Sequence, residues 1–213
     1  MPGIPGPLIG RSRHLAWGAT YTFMDAVDSW MEDCREGAYR RGESFVPFKI
    51  RRERIKRKKE KDVEIVFYEN QHGVLDGDPT VEGHYLATRW SSAESGARSL
   101  IAAKEMWSAQ TIKEGMAASG KIETAWNWVF ADSHGDIGYQ MSGLMPIRPP
   151  SWSGFVPAPG WDSEYDWQGF VTVHELPRCI NPKEGFIVTA NQDLNHFAEV
   201  DPINAPMGAY RAD

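Results

Sequence analysis

The sequence lacks an apolar segment long enough to cross a membrane, and it has little cysteine. No run of about eighteen apolar residues occurs in the 213 residues, so no membrane-spanning helix is predicted. The opening residues have neither a basic n-region nor an apolar h-region, so nothing in this chain predicts export. Two cysteines, Cys34 and Cys179, are too few for a disulfide framework, and free thiols are favoured over a bridge.

The chain also lacks an excess of positive charge and the common catalytic motifs. Its 23 Lys and Arg against 29 Asp and Glu give a formal net charge of −6. Because nucleic-acid binding depends on clustered basic residues without compensating acids, no nucleic-acid partner is predicted. The GxSxG, HExxH, P-loop and EF-hand spacings are all missing, so generic motifs assign no chemistry.

The hydrophobic pattern that is present is typical of a strand-rich α+β fold. It predicts a strand at residues 15–17 and a hairpin at residues 126–140, around the turn Ser-His-Gly-Asp. From Ser92 onwards, helical spacing predicts two short helices, with Ser108 as the N-cap of the second. The apolar run 186–190 predicts a buried strand.

Residues 49–70 predict a long hairpin with a basic end. Eight of the eleven residues from Arg51 to Lys61 are Lys or Arg. One interpretation makes them a patch for an anionic partner, whereas strand alternation places many of them on one solvated face. The net acidity of the whole chain favours the solvated face.

A change of composition marks residues 146–182, which are rich in Pro, Gly, Trp and Asp. No regular period extends through them, so a long surface loop is predicted. Its three tryptophans, Trp152, Trp161 and Trp167, suit either a sugar-stacking face or packing beneath the loop, and packing is favoured.

Asp25 and Asp28 are a candidate pair of cation ligands. They lie three residues apart, and Ca²⁺ prefers carboxylate and backbone oxygens. By spacing alone, a solvated turn is the favoured interpretation.

Several short segments occur in an order that is more informative than any one of them. In the first half they are Pro5-Gly6, Ala16-Trp-Gly-Ala-Thr20, Asp25-Ala-Val-Asp28 and Gln71-His-Gly-Val74. In the second half they are Trp128-Val-Phe-Ala-Asp132, Ile137-Gly-Tyr-Gln140, Pro146-Ile-Arg148, Trp167-Gln-Gly-Phe170, Asn181-Pro182 and Gly185-Phe-Ile-Val-Thr-Ala-Asn191. Their motifs and their order cover nearly the whole chain, which resembles the penicillin acylase (penicillin amidase) family.

The resemblance implies a fold and a reaction. The family consists of N-terminal-nucleophile hydrolases with a four-layer αββα sandwich. Its members are zymogens that cleave themselves, so that a Ser becomes the first residue of the β-subunit and its own α-amine serves as base. The implied substrate is a small N-acyl amide, such as a penicillin-type β-lactam or an acyl-homoserine lactone, which is hydrolysed through an acyl-enzyme. The implied partners are the α-subunit and the remainder of the β-subunit, and export to the periplasm or beyond is expected.

The same resemblance predicts what this chain does not contain. In the family the nucleophile precedes the Pro-Gly segment, and Met1 cannot act as one. The final residues, Tyr210-Arg-Ala-Asp213, resemble the start of the family's YRAxRI helix. We therefore expect residues 1–213 to be a single partial domain, an internal fragment of the β-subunit that is inactive alone.

Individual site residues follow from the family motifs. The residue after Ala19-Thr20 supplies a main-chain N–H to the family's oxyanion hole, which makes Tyr21 a candidate, and Asn191 matches the side-chain donor. The positions that match the family's calcium ligands are Asp25, Val27 through its carbonyl, Asp28, Gly154 through its carbonyl, and Asp201. The resemblance thus implies an oxyanion hole and a structural Ca²⁺.

A different class of function stays open. A β-rich, Trp-rich body that binds a ligand or a protein partner would need no nucleophile. The two interpretations differ in the gene upstream of Met1, where an in-frame Ser after a small residue favours the enzyme.

Overall fold

A computed structural model describes residues 6–212, so the predictions that concern Met1 and Pro5 lie outside the described residues. The chain forms two compact units. The first comprises described residues 6–26, 91–146 and 170–212, and the second comprises residues 27–90 and 147–169. Two compact units can still fold as one domain, so the single partial domain stays a prediction. Within the described residues, no helix is long and apolar enough to span a membrane.

Strands and helices are numbered along the chain. The strands are β1 (Gly10–Arg11), β2 (Leu15–Tyr21), β3 (Val27–Arg35), β4 (Ala38–Arg41), β5 (Ser44–Pro47), β6 (Lys49–Ile55), β7 (Val63–Asn70), β8 (Gly73–Asp76), β9 (Gly83–Trp90), β10 (Trp126–Asp132), β11 (Ile137–Ser142), β12 (Ala158–Pro159) and β13 (Arg178–Ile180). The helices are α1 (Ala97–Ser108) and α2 (Ile112–Ser119).

The first unit is built on a five-stranded antiparallel sheet in the order β1-β2-β10-β11-β13. Because side chains alternate along a strand, the sheet buries residues on both faces. One face packs on the helices through a cluster that includes Leu15, Trp17, Met106, Ile112, Trp128 and Phe130. A second cluster, which includes Tyr139, Met141, Leu176, Leu194 and Ile203, packs under the chain that follows β13. The predicted hairpin, β10 and β11, lies in the middle of this sheet.

The helix α2 begins one turn later than predicted. Its N-cap is Thr111, whose hydroxyl accepts a hydrogen bond from the Glu114 N–H at 3.3 Å. The prediction of Ser108 was wrong, because Ser108 is the last residue of α1 and its hydroxyl donates to the Lys104 carbonyl. Ser and Thr are both preferred at helix N-caps, Ser somewhat more than Thr, so residue type alone favoured the wrong position.

The second unit contains an antiparallel sheet in the order β5-β4-β3-β9-β8-β7-β6, with β12 added in parallel to β3. Two small clusters lie on it, one around Cys34, Tyr39 and Phe48 and one around Trp30, Trp152 and Ala158. The predicted hairpin of residues 49–70 is formed by β6 and β7. Trp152 is buried in the second cluster and Trp167 packs against it, which confirms packing as their role. Both cysteines are free, as predicted.

Candidate active site

The first unit brings together the two residues predicted to form the oxyanion hole, and their contact uses the Tyr21 carbonyl, not the Tyr21 N–H. Tyr21 is the last residue of β2, where the chain leaves the sheet. The side-chain amide of Asn191 donates from Nδ2 to the Tyr21 carbonyl oxygen at 2.6 Å. An amide NH₂ group has two N–H bonds, so one is held by Tyr21 and the other is available to a ligand. Their catalytic role stays a prediction, but their proximity is a property of the fold.

Asn191 holds its position through a turn and not through a strand. Its φ is +68°, in the left-handed region that Asn tolerates better than most residues. Its carbonyl accepts from the Met207 N–H at 2.9 Å, and its Oδ1 accepts from the Arg211 guanidinium at 3.1 Å. Arg211 was placed in the family's terminal motif without a contact being predicted. It fixes which way the amide points, since an arginine only donates.

The predicted buried strand at residues 186–190 was wrong. These residues pair with no strand among the described residues, and Phe186 is 64% exposed. Two of their backbone groups bond to a side chain and not to a strand: the Gln192 side chain accepts from the Ala190 N–H at 2.6 Å and donates to the Val188 carbonyl at 2.8 Å. Hydrophobicity predicted burial, but a strand also requires a neighbour for its N–H and C=O groups.

A cleft of about 400 Å³ lies between the start of this run and the sheet. Small and apolar residues line it. They include Ala16 and Gly18 of β2, Val129 and Ala131 of β10, Ile137 of β11, and Phe186 and Ile187 of the run. Asn191, at the end of the run, reaches Tyr21 at the end of β2. The two segments that line the cleft thus meet a few residues further along each of them.

Three buried polar atoms lie beside the candidate donors without a hydrogen-bond partner among residues 6–212. They are Thr20 Oγ1, Thr22 Oγ1 and Asn127 Nδ2. Thr20 and Asn127 are register partners across β2 and β10, which places their side chains on the same face of the sheet. A buried polar atom without a partner costs about 1–3 kcal/mol. The face of the sheet that carries Thr20 and Asn127 is therefore suited to a polar ligand or a further polypeptide segment.

Two of the predicted calcium ligands meet in the second unit. Asp28 is 2% exposed, and its Oδ2 accepts from Arg148 Nε at 2.7 Å and from Trp167 Nε1 at 2.6 Å. Its Oδ1 is buried without a partner among the described residues. Gly154 lies against this oxygen, since a Cβ added to Gly154 would be 2.6 Å from it. One oxygen of the Asp28 carboxylate is thus left without a partner beside Gly154, whereas the other oxygen already pairs with a guanidinium.

The other predicted ligands are less enclosed. Val27, also in the second unit, is the first residue of β3 and is 50% exposed. In the first unit, half-buried Asp25 donates its N–H to the Pro202 carbonyl at 2.7 Å, next to exposed Asp201. Within the described residues, no three His, Cys, Asp or Glu side chains are grouped to hold a metal. Any cation site here therefore depends on backbone oxygens as well as carboxylates.

Comparison with known proteins decides the family. The model of the family described as penicillin amidase matches residues 1–213. The chain belongs to the penicillin amidase family. This confirms the resemblance that the ordered motifs indicated. Relatives of the chain include proteins named as penicillin acylases and as acyl-homoserine lactone acylases, which are amide hydrolases.

Individual relatives show how much of such a protein this chain represents. Penicillin acylase 2 proenzyme of Pseudomonas sp. (strain SE83) is 34% identical over 198 residues, which are 90% of this chain and 25% of that protein. Acyl-homoserine lactone acylase QuiP of Pseudomonas putida is 30% identical over 197 residues, which are 90% of this chain and 24% of that protein. The chain spans about a quarter of the length of these curated relatives.

A solved structure has the same fold. Thermostable penicillin G acylase from Alcaligenes faecalis superposes with a TM-score of 0.77 at 25% identity, covering 92% of this chain and 40% of that chain. This match confirms the predicted α+β class, the fold of the N-terminal-nucleophile hydrolases.

Proposed function

We propose that this chain forms part of the catalytic β-subunit of an enzyme that hydrolyses small N-acyl amides through an acyl-enzyme. The nucleophile would be an N-terminal Ser contributed by sequence outside residues 1–213, with its α-amine as base. The α-subunit and the rest of the β-subunit, cut from the same precursor, would be its partners. The observation that carries the proposal is the Asn191–Tyr21 contact, which joins the two segments that line the apolar cleft.

In this proposal, Asn191 and Tyr21 stabilise the negative charge that develops on the amide oxygen. When the nucleophile adds to the carbonyl carbon, that oxygen becomes an oxyanion, and donors fixed in advance stabilise it most. Asn191 is fixed in advance, because the Tyr21 carbonyl holds one of its N–H bonds and Arg211 holds its oxygen. Arg211 is a positioning residue, since it acts through Asn191.

The test is an assay of the full-length gene product that contains these residues. Purified protein is incubated with penicillin G and with N-acyl-homoserine lactones of several chain lengths, and the released amine is measured. Mass spectrometry of the quenched protein should show a subunit that begins with Ser and carries the acyl group of the substrate. A folded, processed protein that hydrolyses none of these amides would contradict the proposal and favour a binding module.

We also propose that Asp28 and the Gly154 carbonyl take part in a structural Ca²⁺ site, with the Val27 carbonyl as a further ligand. The unpartnered Asp28 Oδ1 against Gly154 supports this site. Such an ion would neutralise the charge of the buried Asp28 carboxylate and so stabilise the fold. Asp25 and Asp201 stay predictions of the resemblance.

Thermal melting of the full-length protein tests the calcium site. A cation that binds only the folded state stabilises it by about 2.7 kcal/mol at a hundredfold excess over its Kd. The melting temperature should therefore be higher in millimolar Ca²⁺ than in excess chelator, and the difference should vanish in Asp28→Asn. Equal melting temperatures of the wild type in both conditions would exclude the site.

A further inference from the structure

Residues 50–68 extend from the sheet of the second unit as a two-stranded arm. β6 and β7 pair from Lys49↔Glu69 to Ile55↔Val63, whereas β7 pairs with β8 only at Glu69 and Asn70. Within the described residues, the strands of the arm therefore pair only with each other. At about 3.4 Å per residue the paired part is about 17 Å long. Every residue from Arg52 to Glu64 is exposed.

The charges of the arm fall into two groups. Its arginines pair with carboxylates, in Arg51–Glu69 and Arg54–Asp62 at 2.7 Å, Arg52–Glu64 at 3.0 Å and Arg57–Glu60 at 2.6 Å. The lysines of the turn have no ion-pair partner among residues 6–212, and we call them the lysine tip: Lys56, Lys58, Lys59 and Lys61. Ion pairing within the arm thus accounts for the arginines and leaves the lysine tip uncompensated.

The arm also concentrates positive charge in an acidic chain. Residues 49–70 contain nine basic and five acidic residues, whereas the rest of the chain contains 14 basic and 24 acidic residues. In physiological salt, charges are screened over about 8 Å, which is shorter than the arm, so acidic residues elsewhere in the chain do not cancel the charge of the tip. An anionic surface would therefore be attracted to the tip.

Exposed aliphatic residues lie directly beside the lysine tip. Ile55 and Val63 form the last rung of the ladder, and they are 48% and 37% exposed. Ile50, at the base of the arm, is 52% exposed. Basic side chains next to exposed aliphatic ones are the combination that binds the interface of a bilayer, where both headgroup charge and acyl chains are within reach.

We propose that this arm docks on an anionic lipid surface. The lysine tip would lie among the phosphates of the headgroups, and Ile55 and Val63 would reach the boundary of the acyl chains. A nucleic acid fits less well, because arginine makes the bidentate contacts with phosphates and base edges, and the arginines of the arm are held by carboxylates. The proposal is independent of the amidase function.

Co-sedimentation of the full-length protein with vesicles tests the docking. Vesicles of phosphatidylcholine with about 30% phosphatidylglycerol should bind the protein, vesicles of phosphatidylcholine alone should not, and about 0.5 M NaCl should weaken the binding. Replacing the lysine tip by Gln, in Lys56→Gln, Lys58→Gln, Lys59→Gln and Lys61→Gln together, should weaken partitioning about tenfold or more. Ile55→Thr with Val63→Thr should weaken it several-fold without removing its salt dependence.

A matched variant separates the arm from net charge. Lys104, Lys113, Lys183 and Arg13 are exposed residues of the first unit, and their joint replacement by Gln removes the same charge. This control should bind vesicles as the wild type does, and all variants should keep the wild-type melting temperature. Three results would each overturn the proposal. They are equal weakening of vesicle binding in both fourfold variants, equal binding to anionic and neutral vesicles, and binding to duplex DNA in place of vesicles.

Discussion

The two units of this chain are stabilised by different means. The first buries two extensive apolar clusters, one on each face of its five-stranded sheet. The second has smaller apolar clusters and, in addition, a hydrogen-bonded chain of ionisable groups that starts at buried Glu32 on β3. The first unit should therefore respond mainly to changes of side-chain volume, and the second mainly to changes of charge.

The charged chain of the second unit centres on the His72 of the Gln71-His-Gly motif. Its Nδ1 is 2.7 Å from Glu32 Oε1, and its Nε2 is 2.8 Å from Asp166 Oδ1. The His72 ring stacks on Trp30, with ring centroids 4.4 Å apart and planes at 10°. Arg41 continues the chain by pairing with Asp166. Glu32 and His72 are 0% and 1% exposed, so solvent reaches neither side chain.

Hydrogen bonds join the His72 ring to a carboxylate at each of its two nitrogens. Removing the ring would therefore take a shared partner from both Glu32 and Asp166. The thiol of Cys34 lies close to Glu32 and in the same negative surroundings. Burial and then the charges of Glu32 and Asp33 raise the pKa of this thiol to about 12. The motif thus has a structural explanation that needs no substrate.

His72→Ala should give the largest loss of stability. It leaves Glu32 buried without its main partner and opens a cavity beneath Trp30. Breaking a buried ionic pair costs about 3–5 kcal/mol, which urea unfolding would measure. His134→Ala is the matched control, because the His134 side chain is 66% exposed and its loss should cost less than about 0.5 kcal/mol. A loss below about 1 kcal/mol for His72→Ala would show that the charged chain does not support the second unit.

Met106→Ala should be the corresponding change in the first unit. Met106 is 1% exposed in the cluster between α1 and the sheet. The variant should lose about 2–4 kcal/mol through lost burial and an unfilled cavity. Since no charge is involved, the loss should be equal at about pH 5 and pH 8. A pH-dependent loss would remove the contrast between the units.

Asp166→Asn should have a smaller effect that depends on pH. Burial alone would raise the pKa of Asp166, but hydrogen bonds from Arg41 and His72 outweigh it and hold the pKa below its usual value. A lowered pKa stabilises the folded state above the unfolded value of about 3.9 and loses this effect as the pH falls through the folded value. The variant should lose about 1–2 kcal/mol at neutral pH. Melting curves at decreasing pH should show that the stability difference between the wild type and Asp166→Asn shrinks below about pH 4. A difference that stays constant with pH would show that the pKa of Asp166 is not lowered by these hydrogen bonds.

The smallest expected change concerns the cap of α2. Thr111→Ala removes the hydroxyl that accepts from Glu114 and should cost about 1 kcal/mol. Ser108→Ala is its matched control, and it should cost less than about 0.5 kcal/mol because Ser108 caps no helix. Unfolding curves of the two variants measure these losses of stability. If Ser108 were the cap, Ser108→Ala would lose more stability than Thr111→Ala.

The sequence predicted most of the elements whose signal is local. The hairpin of β10 and β11 and the hairpin of β6 and β7 were found, because alternation and turn residues lie next to each other in the chain. The run of residues 186–190 was misassigned, because its fate depends on distant partners that local hydrophobicity does not report. The buried Glu32–His72–Asp166 chain was missed for the same reason, since its members are far apart in sequence.

The candidate donors were predicted for a different reason. Tyr21 and Asn191 came from ordered family motifs, since an Asn after an apolar run is by itself no sign of catalysis. The contact of Arg211 with Asn191 was not predicted, because it arises from a left-handed turn that the sequence signals only by the presence of Asn.

The most direct test of this account compares Asn191→Ala and Asn191→Asp in the full-length enzyme. Asp keeps the shape, tolerates the left-handed backbone and retains an oxygen for Arg211, but it removes both N–H donors. If Asn191 stabilises the oxyanion, both variants should lower kcat by about 10²–10³ while losing no more than about 1 kcal/mol of stability. A kcat close to that of the wild type in Asn191→Asp, with the cost confined to the stability of Asn191→Ala, would show that the residue only shapes the turn.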